Sequence, residues 1–157
     1  MSKSSIKSFG ILINNLSNSQ SSCMLATNIN KLINEDYTYS PIVFYQNIGK
    51  CSIPLLCCSM YIQQAWGFKG TLISTDITTT TILDQCLTTK KKLFYVFDLE
   101  WITLPNLSYS FLKKIYDNPT IELLARSQEH FDILTKVWKK PQGILHEYNC
   151  KELIKFI

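Results

Sequence analysis

Short apolar runs alternate along the chain with longer segments in which apolar residues recur every three or four positions. Unbroken apolar runs are typical of strands buried on both faces, and the wider spacing is typical of amphipathic helices. The predicted strands span 9–15, 41–47, 70–75, 93–97, 121–125 and 143–147. The predicted helices span about 21–34, 53–66, 76–87, 108–116, 127–140 and 150–157. Residues Ser17 to Ser22 offer several N-cap candidates for the first helix, and Asp76 can cap the third.

Strand and helix alternate about six times with short connections, which predicts a mostly parallel sheet with helices on both of its faces. We therefore expect an α/β three-layer sandwich of about six strands, Rossmann-like or flavodoxin-like, and the pattern leaves the strand order open. At 157 residues, the chain is long enough to bury about two-thirds of its unfolded surface. No linker interrupts the pattern, so residues 1–157 are predicted to form a single Rossmann-like domain.

The predicted strand 93–97 is the most informative, because its apolar run ends directly at Asp98 and a second acid, Glu100, follows two positions later. Ligands of open α/β sheets bind in the crevice at the carboxyl ends of the strands. In one interpretation Asp98 or Glu100 acts there as a base or accepts a sugar hydroxyl, and Trp101 contacts the ligand. In the other interpretation Asp98 stabilises a turn and Trp101 packs against the sheet edge. The sequence leaves both open.

Polar residues also follow the other predicted strands, where the fold would bring them to one edge of the sheet. An edge rich in donors, acceptors and acids suits a polyhydroxylated or phosphorylated ligand. Loops need polar residues for their turns as well, so the clustering alone does not distinguish a ligand site from ordinary loops. Together with Trp101, the candidate ligand-binding residues are Asn14, Asn15, Asn18, Gln20, Asn47, Arg126, Ser127, Glu147 and Asn149.

Arg126 is the only arginine among the 16 lysines and arginines of the chain, and Ser127 follows it where a predicted strand meets a predicted helix. The guanidinium, the serine hydroxyl and the first helical N–H groups could hold an anion such as phosphate. His130 lies one helical turn beyond Arg126 on the same face and is a candidate for proton transfer. The alternative interpretation pairs Arg126 with a neighbouring acid and leaves Ser127 as a plain N-cap.

Composition narrows the function classes. The net charge of +4 is mild, and its main local source, Lys90-Lys91-Lys92, is more typical of a solvated turn than of a nucleic-acid patch. We therefore expect no nucleic-acid partner.

No apolar segment approaches the length needed to cross a bilayer, and the polar start of the chain does not resemble a signal peptide. These features predict a cytoplasmic protein without a membrane partner.

The sequence lacks the motifs of several common metal sites, cofactor sites and enzyme classes. The six cysteines form neither a CxxC pair nor zinc spacing with His130 or His146, so reduced thiols and no metal are expected. The loop after the first predicted strand lacks the GxGxxG fingerprint of dinucleotide-binding folds, and the chain contains no P-loop and no GxSxG elbow. No cofactor is predicted.

Two resemblances rest on particular stretches of the sequence. The runs Phe94-Tyr95-Val96-Phe97-Asp98-Leu99-Glu100-Trp101, Glu122 to His130 and Val137-Trp138 resemble the acceptor-side, N-terminal Rossmann-like half of GT-B glycosyltransferases. In that half a strand ends in a serine that starts a helix, a basic or aromatic stretch follows, and then another strand; Ala125-Arg126-Ser127 through Ile144 fits this outline. Over nearly the whole chain, including the loop 14–20, the sequence also looks close to a family of small uncharacterised proteins of tailed marine cyanobacterial phages.

The two resemblances imply different functions. The first implies a glycosyltransferase-like domain acting on a sugar or nucleotide sugar, with Asp98, Glu100 or His130 in catalytic roles. GT-B enzymes hold the nucleotide sugar mainly in a C-terminal half, so this resemblance also implies a partner half or a homodimer. The second implies a non-catalytic phage accessory protein or protein-binding module, located in the host cytoplasm. The fold does not separate these functions.

Overall fold

A sheet of seven strands runs through the centre of the computed structural model, which describes residues 7–104 and 106–157. The strands are β1 (Lys7–Leu16), β2 (Tyr39–Ile48), β3 (Cys58–Tyr61), β4 (Thr71–Ser74), β5 (Lys91–Val96), β6 (Glu122–Ala125) and β7 (Gly143–Ile144). Their order across the sheet is β3-β2-β1-β4-β5-β6-β7, and every neighbouring pair is parallel. The predicted α/β class is confirmed, with seven strands rather than about six.

Helices cover both faces of the sheet and complete the three-layer sandwich. They are α1 (Gln20–Glu35), α2 (Ile77–Gln85), α3 (Glu100–Thr103), α4 (Tyr109–Tyr116), α5 (Gln128–Val137) and α6 (Cys150–Leu153), with 3₁₀ helices at Ile62–Gly67 and Ile154–Phe156. One hydrophobic cluster lies under α1 and α6, and a second lies under the first 3₁₀ helix, α2, α4 and α5. None of the helices in the described part of the chain has the length and apolar character that a membrane crossing requires.

The apolar run of β1 supplies both clusters. Ile11 and Ile13 pack in the cluster under α1, whereas Leu12 packs in the opposite cluster. Successive side chains of a strand point to opposite faces, so an unbroken apolar run fills both layers at once. At Gly10 a Cβ atom would lie 2.5 Å from a methyl group of Leu72, so the close approach of β4 requires glycine at this position.

The strand order reverses between β1 and β4. The chain runs from β1 through β3 toward one edge of the sheet, then returns to the middle and runs from β4 through β7 toward the other. The first six strands follow the 3-2-1-4-5-6 order of Rossmann folds rather than the 2-1-3-4-5 order of flavodoxins. In such sheets ligands bind outside the carboxyl ends of the strands where the order reverses. A ligand site is therefore expected at the carboxyl ends of β1 and β4.

The prediction of a helix at 53–66 is wrong. Residues 49–57 form a loop, and β3 and a 3₁₀ helix follow it. Leu55 and Cys57 pack against the cluster under α1 and α6 while Leu56 between them is 55% exposed, an alternation that a helix does not produce. Periodicity cannot assign a short continuous apolar run to helix or strand. Here the pairing of β3 with β2 makes residues 58–61 a strand, and that pairing is a tertiary contact that the local sequence does not encode.

The last predicted strand, 143–147, is shortened to the two residues of β7. The backbone turns at Glu147 and Tyr148, whose φ angles of 46° and 59° lie in the left-handed region and end the strand. The side-chain amide of Asn28 donates a hydrogen bond of 2.9 Å to the Glu147 carbonyl and helps to hold this turn. The turn buries Tyr148 in the core and leaves Glu147 on the surface.

The helix starts agree with the predicted N-caps. Ser19 caps α1, and the Ser127 hydroxyl accepts the His130 N–H at 3.2 Å at the start of α5. Asp76 caps α2 by accepting the Thr79 N–H at 2.7 Å, and the Thr79 hydroxyl completes a capping box. Each cap places a polar residue and a helix N-terminus at the carboxyl edge of the sheet.

Candidate functional site

A crevice of about 250 Å³ opens at the carboxyl ends of β1, β4 and β5, where the strand order reverses. We call it the switch-point crevice. Its polar lining consists of Asn14, Asn15, Ser19, Ser21, Thr75, Asp76, Asp98, Glu100 and Tyr148. Parallel pairing aligns the strand ends, so residues far apart in sequence meet here.

Asp76 forms one wall of the switch-point crevice. Its carboxylate is committed to the N-terminus of α2, where it accepts the Thr79 N–H. Burial raises the pKa of Asp76, and hydrogen bonds from Thr79 oppose the rise. Asp76 therefore holds α2 in position and contributes an acceptor to the crevice.

Glu100 is the acid of the crevice whose protonation is most altered. Both of its carboxylate oxygens lie 3.2 Å from the Ile77 N–H, which donates to them from the first residue of α2. Burial raises the pKa of Glu100 from 4.5 to about 7; the Ile77 N–H opposes the rise, and the nearby Asp76 and Asp98 add to it. Near neutral pH Glu100 therefore exists in both the charged and the protonated form.

Amide and hydroxyl groups face these acids across the crevice. Asn14 and Asn15 lie near the carboxyl end of β1, and the side chain of Asn47 on the neighbouring strand donates a hydrogen bond of 3.4 Å to Asn14 Oδ1. Burial raises the pKa of Tyr148, so its hydroxyl stays protonated and able to donate. The crevice thus combines hydrogen-bond donors with carboxylate acceptors.

Asp98 and Arg126 stand on the side of the crevice nearest β6. Arg126 Nη1 lies 3.7 Å from Asp98 Oδ1, so the ion-pair interpretation of Arg126 is observed. The guanidinium also lies 4.0 Å from the centre of the Phe97 ring, a cation–π contact that fixes its plane. The Asp98 side chain is 69% exposed, which makes this pair weak and open to exchange with a ligand.

A second cleft, of about 520 Å³, lies beyond Arg126 at the ends of β6 and β7. We call it the Arg126 cleft. Its lining consists of Asn28, Arg126, Ser127, His130, His146, Glu147 and Asn149. Four predicted ligand-binding residues and the predicted proton-transfer residue His130 therefore meet in this cleft. Its Arg126 pairs with Asp98, which lines the switch-point crevice, so the ion pair links the two clefts.

The two histidines of the Arg126 cleft have different surroundings. His146 Nδ1 lies 3.1 Å from the Glu152 carboxylate. His130 Nδ1 is buried, and the described part of the chain offers it no hydrogen-bond partner. The Ser127 hydroxyl accepts the His130 backbone N–H, so its oxygen caps α5 while its proton remains available to a ligand.

Four of the predicted ligand-binding residues lie outside both cleft linings: Trp101, Asn18, Gln20 and Asn47. Trp101 packs edge-on against Tyr116, with ring centroids 4.8 Å apart, as in the packing interpretation of this residue. Asn18 Oδ1 accepts the Ser52 N–H at 2.5 Å and ties the loop after β1 to the loop after β2. Gln20 is exposed as the first residue of α1, and no ligand role follows from its position.

Several cleft residues carry no signal in the sequence that could have identified them. Tyr148 reaches the switch-point crevice only because the backbone turns at Glu147 and Tyr148, and this turn contains no glycine. Asn28 lies on the first helix and reaches the Arg126 cleft only through the packing of that helix. Thr75 and Asp76 could have been found from their place at a predicted strand end.

The described residues contain no group of three or more His, Cys, Asp or Glu side chains arranged to hold a metal ion. The three acids of the crevice are instead engaged separately, two with the start of α2 and one with Arg126. We therefore consider the chemistry of these side chains by themselves.

No protein-family model, curated protein or solved structure matches this chain. The resemblances to a glycosyltransferase half and to phage proteins stay predictions from the sequence.

The two clefts offer complementary chemistry. The switch-point crevice presents carboxylates, amides and hydroxyls, the groups that bind a polyhydroxylated ring by exchanging hydrogen bonds with its hydroxyls. The Arg126 cleft presents a guanidinium, two imidazoles and the N-terminus of α5, which favour an anionic group. A ligand with a sugar ring and a phosphate would engage both clefts across Arg126.

Proposed function

We propose that this chain is a glycosyltransferase-like domain that binds a sugar or nucleotide sugar at the carboxyl edge of its sheet and acts with a partner half. The observation that carries the proposal is the position of Glu100, a half-buried carboxyl group facing Asn14, Asn15 and Asp76 in the switch-point crevice. A carboxylate beside hydroxyl-binding groups is what removal of a proton from a sugar hydroxyl requires.

The size of the crevice supports a sugar ring as the group bound there. Its volume of about 250 Å³ is below the roughly 300–1,000 Å³ of sites that take a whole drug-sized ligand. A single ring would fill it, and the rest of a larger ligand would extend over Arg126 into the second cleft. The polar lining favours a hydroxylated ring over an apolar one.

Glu100 is the better candidate for the base than Asp98 or His130. A general base works best when its pKa lies near the working pH, and burial brings the pKa of Glu100 to about 7. Asp98 is exposed and paired with Arg126, and His130 lines the other cleft. In this function Asp98 and Arg126 orient the ligand, and His130 and Ser127 contact its anionic end.

Ligand binding tests this function directly. We expect thermal stabilisation of the protein by members of a panel of UDP-sugars, GDP-sugars and neutral sugars, since a ligand at a hundred times its Kd adds about 2.7 kcal/mol to folding stability. Glu100→Gln keeps an oxygen that can accept the Ile77 N–H but cannot serve as a base, and we expect it to bind the same ligands while losing any transfer activity.

A matched control is Glu129→Gln, which removes one exposed carboxylate from the first turn of α5. This variant should bind and act like the unmodified protein. Absence of stabilisation by every member of the panel would refute the sugar-binding function and favour the second candidate, a non-catalytic protein-binding module. The exposed apolar residues around β3 are the observation that favours that candidate.

A further inference from the structure

Strand β3 forms one edge of the sheet, and no other strand within residues 7–104 and 106–157 pairs with its outer side. Its backbone makes a ladder with β2, and no other backbone hydrogen bond joins its four residues to the described part of the chain. All four side chains are exposed, including Met60 at 40% and Tyr61 at 57%. The outward N–H and C=O groups are therefore available to another strand.

The opposite edge of the sheet is protected. Strand β7 has only two residues, so this edge offers little backbone for pairing with another strand. Proteins also protect edge strands with lysine, proline or a bulge. The β3 sequence, Cys58-Ser59-Met60-Tyr61, contains no charge and no proline.

The surroundings of β3 carry no charge either. From Cys51 to Phe68 the chain contains no Asp, Glu, Lys, Arg or His, whereas Lys50 and Lys69 flank this stretch directly. Charged residues make up 18% of the whole chain, whose net charge is +4. Pairing through the β3 strand itself would therefore bring no charged side chains of this stretch together.

We propose that β3 is the interface of a homodimer, in which it pairs with β3 of a second copy in antiparallel register across a two-fold axis. A two-fold axis places the same surface on both copies and reverses the strand direction, so identical edge strands can pair without any complementary sequence. An uncharged apolar edge is complementary to itself. The proposal does not depend on the sugar-binding function.

Side chains on both faces of β3 would support this pairing. Tyr61 pairs in register with Tyr45 on β2, and their rings lie 5.0 Å apart, which orders Tyr61 before any partner arrives. Met60 points to the other face, as Phe44 does beside it. Leu56, just before the strand, adds a further exposed apolar group. Contact on both faces surrounds the new backbone hydrogen bonds with apolar side chains.

Sedimentation equilibrium over about 1–100 µM protein, the range in which a small interface associates, tests the proposal. The measurement is made with reductant, since Cys58 is exposed and could form a disulfide between copies. We expect a reversible monomer–dimer equilibrium. A protein that stays monomeric at every concentration would overturn the proposal and leave the edge to a different occupant.

Met60→Lys places a charge on the interface strand and should weaken dimerisation at least about tenfold. Val137→Lys is the matched control, because Val137 is 49% exposed at the end of α5, which packs against β6 and β7 at the other end of the strand order. This variant should dimerise like the unmodified protein. A dimer that both lysine variants weaken equally, or that neither weakens, would contradict the β3 interface.

Hydrogen exchange supplies a second measurement that requires no variant. Backbone N–H groups of β3 that point outward should exchange more slowly at high than at low protein concentration, because dimerisation covers them. Exchange in β7 should be independent of concentration, since β7 lies at the opposite edge of the sheet and takes no part in the proposed interface. Exchange in β3 that does not change as a dimer forms would overturn the proposal.

Discussion

Glu100 accepts a backbone N–H and is nevertheless easier to protonate than a carboxyl group in water. One donor at 3.2 Å does not offset the loss of solvation, and the charges of Asp76 and Asp98 add to the effect. A carboxyl group in this state can both accept and release a proton near neutral pH. The same property makes the stability of the fold depend on the protonation of one residue.

The pKa of Glu100 predicts a pH-dependent difference between two variants. The folded state binds this proton up to about pH 7, whereas the unfolded chain releases it near 4.5, so the contribution of Glu100 to stability is lost as the pH rises between these values. Glu100→Gln removes that loss. As the pH rises from about 4.5 to 8, the free energy of unfolding of this variant should increase relative to that of the unmodified protein. The increase should be on the order of 1–2 kcal/mol, after allowance for solvent screening.

Urea unfolding at several pH values checks this prediction. Glu129→Gln serves again as the control, and its stability relative to the unmodified protein should stay nearly constant over the same pH range. A stability difference for Glu100→Gln that does not change with pH would show that Glu100 titrates normally.

The sequence predicted which acids follow β5 but not how they differ. Asp98 and Glu100 both come from the same strand end, yet only Glu100 is turned back against the start of α2. That contact is between residues 23 positions apart in the chain, and no local pattern encodes it. For the same reason Trp101 was a ligand candidate from its position, although the structure packs it against Tyr116.

At the scale of elements, close packing between β1, β2 and β4 limits what the strands tolerate. A Cβ atom at Gly10 would lie 2.5 Å from Leu72 and 2.7 Å from Phe44, both in the buried cluster. Gly10→Ala should therefore destabilise the protein by about 1–3 kcal/mol, the usual cost of an overpacked core. Gly67→Ala is the matched control, since a Cβ there would meet nothing within 4 Å.

Chemical denaturation of the two alanine variants measures the difference. We expect Gly67→Ala to lie within about 0.5 kcal/mol of the unmodified protein. A Gly10→Ala variant as stable as the Gly67→Ala variant would mean that the side chains of Leu72 and Phe44 can move aside at no cost.

Elements with local signals were predictable, and those that depend on pairing were not. The caps at Asp76 and Ser127 follow from the residue types at the helix starts, and both are confirmed. The helix predicted at 53–66 was wrong because β3 exists only through its ladder with β2. The turn that ends β7 was missed because Glu147 and Tyr148 adopt positive φ without a glycine.

At the scale of the whole molecule, the clefts and the open edge occupy different parts of the sheet. Both clefts lie over the ends of β1 and of the strands from β4 to β7, whereas β3 is at the opposite end of the strand order. A dimer through β3 would therefore leave both clefts accessible. The two proposals are compatible, and either can fail without the other.

The most direct test of the central claim is an NMR titration of the labelled protein with UDP-sugars, GDP-sugars and neutral sugars. We predict that a bound sugar shifts the amide signals of Asn14, Asn15, Thr75 and Ile77, the residues in and beside the switch-point crevice. A ligand carrying phosphate should also shift Ser127 and His130 in the Arg126 cleft. Signals at the crevice that stay unchanged with every sugar would contradict the claim that this edge binds carbohydrate.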